Sequence, residues 1–200
     1  MELQNTYWVL RHGRSLANEK GIIVSTYEHG LPPYYGLPET GKQQAVQAGK
    51  ELKAKMGGHS ADVLVLCSPL TRALETAVLA SEQLGILTTG SNFQIVEELL
   101  ERNFGELELK PDSSYQKVWD ADAASLSSAP AGGGESVTQV SERIKGLFCT
   151  LEAAHKGRTI VLVSHGDTLS ILWATVKGLP LKEHRTHGLS TGELRLLHSC

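Results

Sequence analysis

Two stretches of this chain carry no polar side chain: Val63-Leu64-Val65-Leu66-Cys67 and Ile160-Val161-Leu162-Val163. A strand with one wet face alternates polar and apolar residues. A run without alternation must be covered on both faces, as in a parallel sheet between helices. Tyr7 to Leu10 reads as a third buried strand. Stretches of helical spacing separate these runs. Thr40 reads as the cap of a helix with Ala45, Val46, Ala48, Leu52 and Met56 on one side, stopped by Gly57-Gly58. Ser68-Pro69 reads as the opening of the next, with proline at its first position and Leu70, Ala73, Leu74, Ala77, Val78 and Leu84 in register. Ser136 and Gln139 make a capping-box pattern ahead of a stripe of Val137, Val140, Ile144, Leu147, Phe148 and Leu151. Short strands over 93–96 and 194–197, a short helix near 115–119 and a compact one over 169–176 complete the pattern. Such alternation predicts an α/β fold with a mostly parallel sheet, and residues 1–200 read as a single domain.

Composition narrows the function classes. The 19 Lys and Arg are outnumbered by 22 Asp and Glu, for a net charge of -3, which argues against a nucleic-acid surface and makes any anion recognition local. Three scattered cysteines, Cys67, Cys149 and Cys200, form no disulfide framework, so a reduced interior is expected. The N-terminus has no signal-peptide pattern, and no apolar run approaches the ~18 residues that span a membrane. A soluble, cytoplasmic protein without membrane partners is expected; its oligomeric state is not readable.

Two of the predicted strands end in a His-Gly pair: Arg11-His12-Gly13-Arg14 and Ser164-His165-Gly166. The glycines let the backbone turn tightly and approach a ligand. In parallel sheets, ligands collect beyond the carboxyl ends of the strands, where Ser68 would join both histidines. Imidazoles beside arginines fit a phosphoryl group, since guanidinium matches its oxygens bidentately. A neutral imidazole nitrogen can attack phosphorus and split one displacement into two. The second imidazole can stabilise the developing charge, and a carboxylic acid is needed to protonate the leaving oxygen. This chemistry requires no metal or cofactor. Arg14, one turn beyond His12, is placed either on the phosphate or in solvent.

These residues sit in a larger set: Arg11-His12-Gly13 with Asn18; Ser68-Pro69-Leu70-x-Arg72-Ala73-x-x-Thr76-Ala77; Glu101-Arg102-x-Phe104-Gly105; Gly133-Gly134-Glu135-Ser136; and Ser164-His165-Gly166. In this order the set resembles the histidine phosphatase superfamily, the phosphoglycerate-mutase-like proteins, over nearly the whole chain. The resemblance implies a three-layer α/β/α sandwich. It implies that His12 is the phosphorylated nucleophile and Glu101, rather than Glu98, the proton donor. Arg11, Arg72 and His165 would bind and polarise the phosphoryl group, with Asn18 lining the site and Gly166 and Arg102 among the substrate-binding residues. The glycines at 132–134 are then a loop joint, not an anion cradle.

The implied activity is hydrolysis of a small phosphorylated metabolite through a phosphohistidine. Phosphoglycerate mutases carry a Lys-x-Trp-Arg-Arg stretch, which here reads Lys117-Val118-Trp119-Asp120-Ala121, and a tyrosine where this chain has Phe104. These departures favour a phosphatase over a mutase. A non-catalytic phospho-ligand or partner-binding protein is a third reading. Gly36 to Lys42 matches seven positions of a nucleotide phosphate-binding loop, but Gln43 stands where Ser or Thr must hold magnesium. His184 and His187 form at most a weak metal pair and are expected at the solvated surface.

Overall fold

The computed structural model describes residues 2–57 and 62–200. Its elements are β1 (Thr6–Arg11), α1 (Leu16–Lys20), α2 (Tyr27–Gly30), α3 (Glu39–Lys55), β2 (Val63–Cys67), α4 (Thr71–Leu84), β3 (Phe93–Ile95), α5 (Tyr115–Ala124), α6 (Val137–Ala154), β4 (Thr159–Ser164), α7 (Gly166–Lys177) and β5 (Leu194–His198). The strands form one sheet in the order β3-β2-β4-β1-β5. All neighbours run parallel except β5, which pairs antiparallel with β1 at the edge.

The unbroken apolar runs have the physical basis read from them, because successive side chains point to opposite faces. Tyr7, Val9, Leu64, Leu66, Ile160 and Leu162 pack on one face with the stripe of α6 and with Leu169, Ile171 and Leu172 of α7. Leu10, Val63, Val65, Cys67, Val161 and Val163 pack on the other with Ala48 and Leu52 of α3 and Ala77, Ala80 and Leu84 of α4. The result is a mixed α/β fold in three layers.

The Ser136 capping box is present, with Ser136 Oγ accepting from Gln139 N–H and the Gln139 side chain accepting from Ser136 N–H. Two other helix starts differ from the sequence reading. Pro38, not Thr40, precedes α3, and no side chain caps that helix. The predicted stop at Gly58 lies outside the described residues. Pro69 is not in α4, which begins at Thr71 after an extended Leu70. There Ser68 Oγ accepts from Leu70 N–H at 3.3 Å, so Ser68-Pro69-Leu70 forms a bend that keeps the Ser68 hydroxyl at the strand end.

Gly41, which the loop-like motif had singled out, is spent on packing. A Cβ on Gly41 would lie 2.0 Å from Arg14 O, and one on Gly13 would lie 2.3 Å from Gly41 O. The start of α3 therefore rests directly on the turn after β1. No helix among the described residues is long and apolar enough to cross a membrane. Gly41→Ala should lower stability in urea titration by about 1–3 kcal/mol, because only backbone can yield. Gly146→Ala is the control: a Cβ at this exposed position of α6 meets nothing within 4 Å. That substitution should raise stability by about 0.5–1 kcal/mol.

Candidate active site

Three neighbouring parallel strands deliver the site. His12 N–H donates to Ser164 O at 3.0 Å and Ser68 N–H to Val163 O at 3.0 Å, continuing the sheet ladder past the ends of β1 and β2. His12, Ser68 and His165 therefore share the carboxyl edge, and the two imidazoles lie 5.1 Å apart, centroid to centroid. Thr76 steadies the turn: its hydroxyl accepts from Gly13 N–H at 3.0 Å and donates to Arg72 O at 2.7 Å.

Hydrogen bonding decides the tautomer of His12. Nδ1 lies 2.8 Å from Gly13 O, which can only accept, so Nδ1 carries the proton. Nε2 is left with a free lone pair, which accepts from Arg72 Nε at 3.1 Å. Burial, then the charges of Arg72 and Arg11, hold the imidazole pKa well below its usual value and keep the ring neutral. His165 is depressed in the same way by burial and by Arg72, His12 and Arg11. Its Nε2 meets Ser68 Oγ at 2.8 Å. In the tautomer in which the Ser68 hydroxyl donates to His165 Nε2, Nδ1–H is a donor left over for a ligand oxygen.

Two arginines flank the histidines. Arg72, buried on α4, donates from Nη2 to Val24 O at 2.8 Å. Arg11 donates from Nη1 to Leu189 O at 2.6 Å. A Cβ at Gly166 would come within 3.1 Å of the Arg11 Cζ, so glycine leaves room for that guanidinium at the head of α7. Among the described residues, Arg11 Nε, Arg72 Nη1 and His165 Nδ1 are buried and meet no hydrogen-bond partner. An unmade bond at such a donor costs about 1–3 kcal/mol, and more for a charged group.

Glu101 completes the group. Its Oε1 accepts from Arg102 N–H at 2.9 Å and Thr168 N–H at 3.1 Å, and the Thr168 hydroxyl, which donates to Leu100 O at 2.8 Å, lies 3.2 Å from it. Among the described residues no bond reaches Oε2, which is left to carry a proton. Burial, and then the charge of Asp167, raise the carboxyl pKa above its usual range, against Arg72 and the two backbone bonds. Glu98 is exposed. The set is two imidazoles, two guanidiniums and a carboxyl group around one small space.

A profile of the histidine phosphatase superfamily (branch 1) matches residues 7–199. The chain belongs to that superfamily. It is 34% identical over 199 residues to an Agropine synthesis reductase of Rhizobium rhizogenes, covering 96% of this chain but 38% of the relative. The chain thus spans about two fifths of that protein's length. A 2,3-bisphosphoglycerate-dependent phosphoglycerate mutase of Parvibaculum lavamentivorans is 29% identical, covering 95% of this chain and 88% of the relative. The mycobacterial glucosyl-3-phosphoglycerate phosphatase structure superposes with TM-score 0.76 at 25% identity, covering 94% and 87% of the two chains. Phosphatases and mutases thus both occur among the histidine phosphatases that resemble this chain.

Not every residue named from the sequence sits in that space. Arg102 was placed with the substrate-binding residues; the structure buries it fully as a strut. It grips Asp122 through two bonds of 2.6 and 2.8 Å, Asp167 at 3.1 Å and Glu135 O at 2.8 Å. Asn18 is exposed, and its Oδ1 accepts from Ser15 N–H and Ser15 Oγ, each at 3.0 Å, capping α1. The Arg14 side chain is half exposed, with Glu19 3.6 Å away. His184, expected at the surface, is 1% exposed, with Nδ1 2.9 Å from Ser170 Oγ. The glycines at 132 and 133 take positive φ of 75° and 83° in a turn ahead of Ser136, a loop joint as read.

Sequence reasoning missed Thr168, Asp167, Asp122 and Arg185. The first two directly follow His165-Gly166, a signal that was available. Asp122 and Arg185 carry no local signal. Arg102→Met should leave Asp122 and Asp167 short of their counter-charge. The expected loss is about 3–5 kcal/mol in chemical denaturation.

Proposed function

We propose that the protein is a phosphomonoester hydrolase that works through a phosphohistidine at His12 Nε2, on a small phosphorylated metabolite. The observation that carries this reading is the set of buried donors without acceptors, Arg11 Nε, Arg72 Nη1 and His165 Nδ1, around a neutral imidazole. Phosphoryl oxygens satisfy all three at once, and the bonds strengthen as negative charge gathers on them. Arg72 Nε lies 3.1 Å from His12 Nε2, so a phosphate held by that guanidinium sits beside the attacking nitrogen.

In the first step, the His12 Nε2 lone pair forms a bond to phosphorus while the ester P–O bond breaks. The departing oxygen takes the proton of Glu101 and leaves as an alcohol. In the second, the Glu101 carboxylate accepts a proton from water, whose oxygen attacks phosphorus. The P–N bond breaks, phosphate forms, and both residues return to their starting states. Hydrolysis rather than transfer to a second substrate is favoured by Asp120, an exposed acidic residue where phosphoglycerate mutases have a cationic grip.

His12→Ala should abolish release of phosphate from p-nitrophenyl phosphate; equal rates in the two proteins would sink the hydrolase reading. Glu101→Gln should slow a simple alkyl phosphate at least ~100-fold. Its effect on p-nitrophenyl phosphate should be much smaller, because that leaving group needs no proton. The pH profile of kcat/KM follows from the two shifts. Activity needs His12 neutral and Glu101 protonated. The rising limb should lie well below pH 6.5, since the His12 pKa is depressed, and the falling limb above pH 4.5, since that of Glu101 is raised. Glu101→Gln should erase the falling limb alone. Phosphate release from 3-phosphoglycerate, with and without 2,3-bisphosphoglycerate, separates hydrolase from mutase.

A further inference from the structure

Past Arg11 and Glu101 the site opens into a cavity of about 160 Å³, walled also by Tyr115, Trp119, Asp167 and Arg185. That is well below the ~300 Å³ at which pockets for drug-sized ligands begin, so the cavity suits a few-carbon group and not a nucleoside. Its far wall consists of donors. The guanidinium carbon of Arg185 lies 3.6 Å from the centroid of the Trp119 ring, and the Tyr115 ring stacks on that indole at 5.5 Å and 11°. Trp119 Nε1–H is buried and meets no acceptor among the described residues. Arg185 donates from Nη1 to Asp167 Oδ1 at 3.0 Å, and among the described residues no other bond engages it.

The Asp167 carboxylate and Glu101 Oε1 are engaged. Asp167 Oδ2 receives Arg102 and Oδ1 receives Arg185. Glu101 Oε1 already takes two backbone N–H donors. A ligand group entering here must accept several hydrogen bonds at once, and an anionic oxygen pair does so best with a guanidinium held edge-on by stacking. On its other side Glu101 borders a groove of about 490 Å³ whose lining sets Glu97, Glu98 and Glu135 against one cation, Arg143, which is paired with Glu135. An anionic leaving group is repelled from that groove and drawn to the Arg185 wall.

We propose that Arg185, held over Trp119, and the Trp119 Nε1–H form a second anion-binding subsite. It selects small phosphomonoesters whose alcohol part bears a carboxylate or a second phosphoryl group. The proposal rests on the hydrolase reading and names the substrate class of that same site.

The test compares phosphoglycolate and ethylene glycol bisphosphate with ethyl phosphate, which shares their two-carbon unit and lacks the second anion. At least one of the two anionic esters should exceed ethyl phosphate in kcat/KM by about tenfold or more, and which one does so distinguishes carboxylate from phosphate. In Arg185→Gln that ratio should fall close to one. Arg185→Lys, which keeps the charge but not the planar fork, and Trp119→Phe, which keeps the ring but not the N–H, should fall between. Comparing that ratio between wild type and variant cancels the intrinsic reactivity of the esters, and the ratio itself cancels any general loss from disturbing Asp167. A wild-type ratio near one for both anionic esters, or a ratio unchanged in Arg185→Gln, overturns the subsite. If no ester, p-nitrophenyl phosphate included, is turned over, the hydrolase reading fails separately. The same ratio is then taken from dissociation constants by calorimetry, with the same two outcomes deciding the subsite.

Discussion

The parallel register of β2, β4 and β1 is the constraint on which the rest depends. Because these three strands are neighbours and end level, the residues that follow them emerge on one edge within hydrogen-bonding reach. The ladder continues through His12 N–H and Ser68 N–H into the loops, so the positions of His12, Ser68 and His165 are set by backbone bonds rather than by flexible side chains. A slip of one residue would turn each strand's apolar side chains onto the wrong face, at a cost the two-sided core makes prohibitive. The site is rigid because the core is.

Onto that edge the protein loads groups that are expensive to bury. Arg11 and Arg72 leave water beside two imidazoles, and the nearest carboxyl, Glu101, is pushed toward its neutral form. Desolvation lowers the pKa of each guanidinium, the sign of a charge held where it is not fully compensated. Such an arrangement persists only if packing elsewhere over-determines it. The same imbalance holds the His12 pKa down, pushes that of Glu101 up, and leaves buried donors unmatched among the described residues.

A second electrostatic group does structural work. Asp122, Arg102, Asp167 and Arg185 form a chain of alternating sign, tying α5 to the segment that carries Glu101 and to the first turn of α7. Buried pairs of this kind contribute less to net stability than their short distances imply, since desolvation offsets the attraction. Their effect here is positional. Asp122 holds the helix that presents Tyr115 and Trp119, and Thr168, next to Asp167, holds the Glu101 carboxyl. Arg102 resembles a substrate ligand in sequence because it follows the acid; its place in this cluster explains why it is not one.

The sequence by itself determined the layered fold, the His-Gly strand ends and the Ser136 cap. Unbroken apolar runs, glycine after histidine and a Ser-x-x-Gln pattern each act over a few residues. Helix starts were less legible. Proline and serine at 68–69 look like a cap, yet Ser68 is committed to Leu70 N–H and His165, partners 2 and 97 positions away. The division between ligand and strut was invisible for the same reason. Arg102 finds its carboxylates 20 and 65 positions away, and Arg185 lies over an indole from a helix more than sixty residues earlier. Only the tertiary structure decided those roles, because the partner of a long charged side chain is chosen by whichever element folds against it.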